Sequence, residues 1–233
     1  MSKEYEFTIR WGEQRDTDDA EGKVTESSEA RPSEQEIKKA LPQFTGAIRQ
    51  TPPAFSAIKI EGQRAYDLAR AGEAPEMRER DVVIHELELV DILHKDQAAF
   101  KVRCGKGMYV RSLARDLALK LGTYGHIAEL RRTRVGPFTI EKAIPLEKLE
   151  ELSHNGDALT ALLALRTALD DIPALNLTAS EAQCLRTGQG LLIRPQHGDL
   201  MNAKLIFAEH QGVPVALIEP HAGSFRVVRG FHF

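Results

Sequence analysis

The sequence predicts an α+β fold: a mixed, mainly antiparallel sheet with helices packed on it, followed by a small β-rich domain. Three observations carry this. Tyr5, Phe7, Ile9 and Trp11 alternate with polar residues, and Phe100, Val102 and Cys104 do the same, which is the period of half-buried strands. Val110, Leu113, Ala114, Leu117, Ala118 and Leu121 recur at helical spacing and stop at Gly122. The last thirty residues, from Lys204, are again strand-like, with a turn at Gln211-Gly212.

The elements follow in order. The first strand begins almost at Met1. Residues 12 to 31 are polar, with Asp16, Asp18, Asp19 and Glu21 ahead of Gly22. They lack the alternating ligands and closing Glu of a calcium loop, so a solvated loop is expected. Ser33 and Glu36 form a capping box for a short helix through Ile37, Ala40 and Leu41, which Pro42 ends or kinks. Gln50-Thr51-Pro52-Pro53 is extended or turn, and Tyr66 to Ala71 is a short helix stopped by Gly72. Val82 to Leu93 is β-rich. Gly105-Lys106-Gly107 is the turn between the second clear strand and the Val110 helix.

Pro145 opens a helix bearing Leu146, Leu149 and Leu152, and the apolar run Ala158 to Leu169 reads as helical. Pro173 ends that region. Thr178 with Glu181 is a second capping box, and Gly188 a helix stop. Residues 1–150 are therefore assigned to a first domain, 151–173 to a helical linker, and 174–233 to a small closing domain.

Composition is that of an ordinary globular chain, 42% hydrophobic and 28% charged in 233 residues. No run approaches the ~20 apolar residues of a membrane span, and the start does not read as a signal peptide. The cytoplasm is the expected compartment. Cys104 and Cys184 have no metal-ligand spacing and read as reduced thiols. Charge is unevenly placed: residues 101–142 hold ten Lys/Arg against three acids, a local +7 in a chain of net charge −3. Such a block suits a polyanion or a solvated basic face.

The densest motif is Cys104-Gly-Lys-Gly-Met-Tyr-Val-Arg-Ser-Leu-Ala-Arg-Asp116. It gathers Lys106, Arg111 and Arg115 near one helix start, with the arginines four apart on one face. Tyr109 lies among them, an aromatic beside cations, which suits a stacked base and neutralised phosphates. The same residues also permit an ion pair between Arg111 and an acid such as Asp116, with Tyr109 in the core.

Two further blocks make the pattern specific: Gln50 to Gly72, with Thr-Pro-Pro-Ala-Phe-Ser-Ala-Ile-Lys after the glutamine, and Leu130-Arg-Arg-Thr-Arg-Val-Gly-Pro-Phe138. With Lys3-Glu-Tyr-Glu-Phe7, Asp16-Thr-Asp-Asp-Ala-Glu-Gly22 and Val228-Arg-Gly-Phe231, the chain resembles the bacterial tRNA pseudouridine-55 synthase family over nearly its whole length.

The resemblance implies a pseudouridine-synthase-like fold closed by a small RNA-binding (PUA-like) domain. It implies an isomerase that flips a uridine from the T loop of tRNA and rebuilds its glycosidic bond from nitrogen to carbon, without metal or organic cofactor. The expected partner is the T-loop stem-loop of tRNA, and a monomer is expected. By motif, Tyr5 is the tyrosine that stacks on the flipped base and Arg111 the arginine that pairs with the catalytic carboxylate. Tyr109 and Leu130 line the pocket, and Lys106, Arg115, Arg131 and Arg132 contact RNA. The family's nucleophilic aspartate stands in a Gly-His-Thr-Gly-x-Leu-Asp-Pro-like stretch that this sequence does not contain. Asp16, Asp18, Asp19 and Asp116 stand in other contexts. The expectation is a chain that begins downstream of that stretch, is inactive as given, and leaves Arg111 without its carboxylate. The alternative is a non-catalytic protein that binds tRNA and helps it fold.

Overall fold

The computed structural model describes residues 1–73 and 75–232. These divide into two compact units, Met1–Ala143 and Ile144–Phe233.

In chain order the first unit contains β1 (Lys3–Trp11), β2 (Glu13–Arg15), β3 (Val24–Ser27), α1 (Glu34–Ala40), β4 (Gly46–Gln50), β5 (Lys59–Ile60), β6 (Gln63–Arg64) and α2 (Ala65–Arg70). It continues with β7 (Arg80–His94), β8 (Gln97–Cys104), α3 (Val110–Lys120), β9 (Gly125–Val135) and β10 (Phe138–Thr139). Six strands form one sheet in the order β10-β9-β1-β8-β7-β4, every neighbouring pair antiparallel. β2 and β3 form a hairpin of their own, as do β5 and β6.

Alternation dictates which face is buried. Phe7, Ile9 and Trp11 from β1 meet Ala98, Phe100, Val102 and Cys104 from β8 and Val82, Ile84 and Leu87 from β7. The α3 stripe of Val110, Leu113, Ala114, Leu117 and Ala118 covers that face together with Ile37 and Ala40 of α1. Phe100 is the aromatic centre, stacked on Phe7 at 5.4 Å between centroids and edge-on to Trp11 at 6.2 Å.

Local signals set the helix ends. Ser33 and Glu36 make the reciprocal capping box, and Pro42 turns the chain from α1 into one 3₁₀ turn. Gly122 follows α3 at φ +74°, a conformation that costs glycine little.

The second unit contains α4 (Leu146–His154), α5 (Leu165–Ala168), β11 (Ala174–Asn176), α6 (Ala179–Arg186), β12 (Leu191–Leu192), β13 (Ile206–His210), β14 (Val213–His221) and β15 (Ser224–Gly230). Five strands run β11-β13-β14-β15-β12, with β11 parallel to β13. α6, capped by Thr178 and Glu181, packs Ala182 and Leu185 against Ile206, Ile218 and Phe225.

Three expectations need correction. β9 was not expected, yet it is an eleven-residue strand paired along the length of β1. The run Ala158 to Leu169 is not one helix: Leu162 and Ala164 are extended and split it into a 3₁₀ turn and the four-residue α5. So short a helix has no cooperativity of its own. Residues 12 to 31 are not a solvated loop. They fold as the β2–β3 hairpin, whose connection buries Asp18 to 5% exposure. Among the described residues, no helix is long and apolar enough to cross a membrane.

Candidate functional site

β8 leads through the turn at Gly107, φ +87°, into the N-terminus of α3. Two segments are hydrogen-bonded to it there: the 16–22 connection and residues 50–55.

Arg111 and Arg115 leave the same face of α3. Arg111 donates from Nη1 to the Thr17 carbonyl at 2.9 Å and to Asp19 Oδ2 at 3.0 Å. From Nη2 it donates to the Phe55 carbonyl at 2.8 Å. The expectation of an arginine without a carboxylate is thus overturned, because Asp19 reaches it from 92 residues away in sequence. Nor does Arg111 pair with Asp116. That acid accepts from Arg115 Nε at 3.0 Å. Arg115 also donates to Asp18 Oδ2 at 2.9 Å and to the Thr51 carbonyl at 2.8 Å.

Burial pushes the Asp18 carboxyl up to about 6, against the pull of Arg115 and Arg111. Burial also raises Asp116, against the pull of Arg115. The connection can adopt this shape only with glycine at 22, where a Cβ would lie 2.3 Å from Thr17 Oγ1 and 2.9 Å from the Thr17 backbone nitrogen.

The segment 50–55 is held as firmly. Buried Gln50 brackets the Tyr109 backbone: its Oε1 accepts from the Tyr109 N–H at 2.9 Å and its Nε2 donates to the Tyr109 carbonyl at 3.2 Å. Ser112 Oγ donates to the Thr51 carbonyl at 2.8 Å. Tyr109 is the N-cap of α3 and has no side-chain cap of its own. Gln50→Ala leaves the Tyr109 N–H without its partner, while the Tyr109 carbonyl keeps the Leu113 N–H at 3.1 Å, so it should destabilise the chain by about 1–3 kcal/mol. Gln50→Glu retains the acceptor but not the donor and should fall between. Urea midpoints measure both, and equal midpoints for the three proteins would show the bracket to be without weight.

Tyr5 sits on β1 opposite Val102 of β8 and Arg132 of β9. Burial raises its phenol above the usual value, opposed by a hydrogen bond from Arg132. A register shift between Glu4 and Tyr5 makes Thr133 the extra residue of a bulge, and Thr133 Oγ1 donates to Glu4 Oε1 at 3.0 Å. Leu130 lies opposite Phe7, half exposed.

Tyr5, Leu130 and Arg132 therefore share the helix-bearing face of the sheet with Phe7 and Phe100. Arg131 is opposite Glu6 and points to the other face. The basic block is accordingly divided. Arg131 and Arg132 cannot belong to one patch, and Lys101 and Arg103 are paired with Glu4 and Glu86 at 3.2 Å each. Lys106 is exposed in its turn, Tyr109 is half-buried, and Arg115 is spent on carboxylates and a carbonyl.

Among the described residues, no group of three or more His, Cys, Asp or Glu is placed to hold a metal ion. Burial pushes the Cys104 thiol up to about 11.

Sequence reasoning missed Asp18, Asp19 and Gln50 as parts of this arrangement. The acids carried a signal in the Asp-Asp pair before a glycine, but nothing local named arginines on a distant helix.

Residues 1–110 match the model of the TruB family pseudouridylate synthase N-terminal domain, and residues 111–172 that of the tRNA pseudouridylate synthase B C-terminal domain. A tRNA pseudouridine synthase B of Agrobacterium fabrum is 48% identical over 98% of this chain and 75% of its own length. The chain belongs to the TruB pseudouridylate synthase family. Another member, from Bradyrhizobium diazoefficiens, is 56% identical over 82% of this chain. The chain matches only 57% of that relative's length, and 54% of one from Rhodopseudomonas palustris.

The TruB-type architecture extends to solved structures. An H/ACA ribonucleoprotein bound to a substrate RNA containing 2′-deoxyuridine superposes with a TM-score of 0.69 at 19% identity, over 100% of this chain and 66% of the other. A Cbf5–Nop10–Gar1 complex gives 0.68 at 22% identity, over 99% and 67%. These likenesses speak to the fold alone.

Proposed function

We propose that the chain serves a tRNA pseudouridine-55 synthase: it takes the T-loop stem-loop of tRNA as a monomer, receives a flipped uridine and presents Arg111 to the carboxylate that reacts with it. The observations that carry this reading are that Tyr5, Leu130 and Arg132 share the sheet face on which α3 packs, and that the guanidinium of Arg111 on α3 is fixed at three points. The family membership agrees with it.

The chemistry asks little of a cofactor. The C1′–N1 bond of uridine is exchanged for a C1′–C5 bond, so substrate and product are isomers. What is needed is a stacked base, a carboxylate at the sugar and a cation holding that carboxylate ionised and aimed. Tyr5 supplies the ring, with Arg132 at its phenol. Arg111 supplies the cation. Its carbonyl partners, from Thr17 and Phe55, are neutral, so its charge is offset by Asp19. Lys106, exposed at the turn before α3, is suited to a phosphate.

Binding of a T-loop stem-loop RNA over a salt series tests this. Tyr5→Phe should keep most affinity, and Tyr5→Ala should lose about 1–3 kcal/mol. Arg132→Ala should weaken binding, whereas Arg131→Ala, on the opposite face, should leave it within error. Equal losses at Arg131 and Arg132, or no loss at Tyr5 in a folded variant, would overturn the assignment of RNA to this face.

A further inference from the structure

The second arginine on α3 has no place in the chemistry just proposed, yet it is the more deeply engaged of the two. The Arg115 side chain is 17% exposed and its Asp18 partner 6%, against 23% and 25% for Arg111 and Asp19. Arg115 spends Nε, Nη1 and Nη2 on three acceptors: Asp116, Asp18 and the Thr51 carbonyl.

Two of these belong to the segments that hold Arg111. Asp18 stands between Thr17 and Asp19 in the 16–22 connection, and Thr51 opens the stretch that ends at Phe55. Arg115 therefore ties together, one helical turn further along α3, the two loops whose Thr17, Asp19 and Phe55 oxygens receive Arg111.

The backbone at Asp18 supports this. Its φ is +60°, a conformation a non-glycine residue adopts only at a cost. The opposite sides of the residue are pinned: the carbonyl accepts from the Ile127 N–H of β9 at 3.0 Å, and the carboxylate meets Arg115. Release of the carboxylate leaves a strained backbone held by main-chain bonds alone, its carbonyl to the Ile127 N–H and its N–H to the Arg15 carbonyl, each at 3.0 Å. The neighbouring Asp19 keeps its Thr17 Oγ1 and Glu21 N–H bonds within the tip, but the tip has lost its tie to Arg115, so Asp19 and the Thr17 carbonyl shift together relative to Arg111.

We infer that Arg115 and Asp18 are positioning residues: their buried ion pair sets the 16–22 connection so that Asp19 and the Thr17 carbonyl hold the Arg111 guanidinium in one orientation. This deepens the proposed function and rests on it for its consequence in catalysis, but its geometry can be tested without RNA.

The carboxylate of Asp18 faces Arg115 and Arg111, with Asp116 beside them, and burial dominates its titration. As pH falls through about 6, Asp18 takes up a proton and the pair with Arg115 loses its charge on one side. The sign for stability is opposite to ordinary acid unfolding. Because the folded value lies above 3.8, Asp18's contribution to stability is complete below that value and is lost as pH rises through about 6. A loosening of the loop on acidification is therefore not unfolding driven by this group.

The experiment follows the Arg111 Nη resonances in the ¹⁵N-labelled full chain. Held at both nitrogens, they should be separate lines at pH 7.5. In Asp18→Asn and Arg115→Lys they should coalesce to the averaged line of a freely rotating guanidinium, while Arg111→Lys identifies the lines by removing them. Variants that melt as cooperatively as the parent but keep the separate Arg111 lines overturn the inference. Where a variant does not fold, the parent protein decides. Its Arg111 lines should broaden and merge with a midpoint near pH 6, in step with the Asp18 carboxyl ¹³C shift, and lines unchanged while that carboxyl titrates overturn it. Loss of RNA binding in the Tyr5 experiment would leave these lines untouched, so the two readings fail separately.

Discussion

The 233 residues, in excess over a T-loop stem-loop RNA, should yield no detectable pseudouridine in a single turnover. The same residues joined upstream to a segment carrying a Gly-His-Thr-Gly-x-Leu-Asp-Pro-like stretch should convert it. A catalytic carboxylate qualifies by geometry before pKa, and the carboxylate found on Arg111 is Asp19, already oriented by Thr17 Oγ1 at 2.6 Å and by the Glu21 N–H at 3.2 Å. In the extended protein, changing the Leu-Asp-Pro aspartate should return the yield to zero. Arg111→Ala should lower turnover by on the order of 10²–10³, as expected for a fixed charge that stabilises a reacting partner. Stoichiometric product from the 233 residues alone would place the reacting carboxylate inside them, and loss of that product in Asp19→Asn would identify it.

Phe100→Ala should cost about 3–5 kcal/mol. Phe100 is 1% exposed and touches both Phe7 and Trp11, so truncation opens a cavity between β1 and β8 that neither strand can close, since both are paired on two sides. Phe138→Ala, at a 37% exposed position, should change stability by no more than about 0.5 kcal/mol. Urea titration reads both: the Phe100 midpoint falls sharply at an unchanged slope. A Phe100→Ala cost below ~1 kcal/mol would mean that the sheet relaxes into the space. Because β8 runs directly into the turn and α3, the same variant should also blur the Arg111 lines, through the fold rather than through the site.

The parts of this molecule that are local in sequence were legible. The alternation in β1 and β8, the Ser33–Glu36 and Thr178–Glu181 boxes and the Gly122 stop each need only a few neighbouring residues to be understood. β9 was hidden because Arg131, Arg132 and Arg134 read as one charged run. Its strand character comes from β1 alongside, and its two faces were indistinguishable before a sheet existed. The resemblance named Tyr5, Arg111 and Leu130, and it brought no knowledge of what would hold Arg111. Asp18 and Asp19 looked like solvent-loving acids because their partners lie 97 and 92 residues onward. A buried aspartate followed by a partly exposed one at a hairpin's tip has no local signature. Its meaning is written on another helix.

That separation has a consequence for anyone recombining members of this family. The hairpin tip and the first turns of α3 form one interlocking cassette, although most of the first unit is threaded between them. A chimaera that takes residues 16–22 from a relative with a neutral side chain at 18, while keeping Arg115, would bury a guanidinium with Asp116 as its remaining carboxylate and leave the tip without its tie to Arg115. Exchange of position 18 together with position 115 keeps the lock and its key in the same parent.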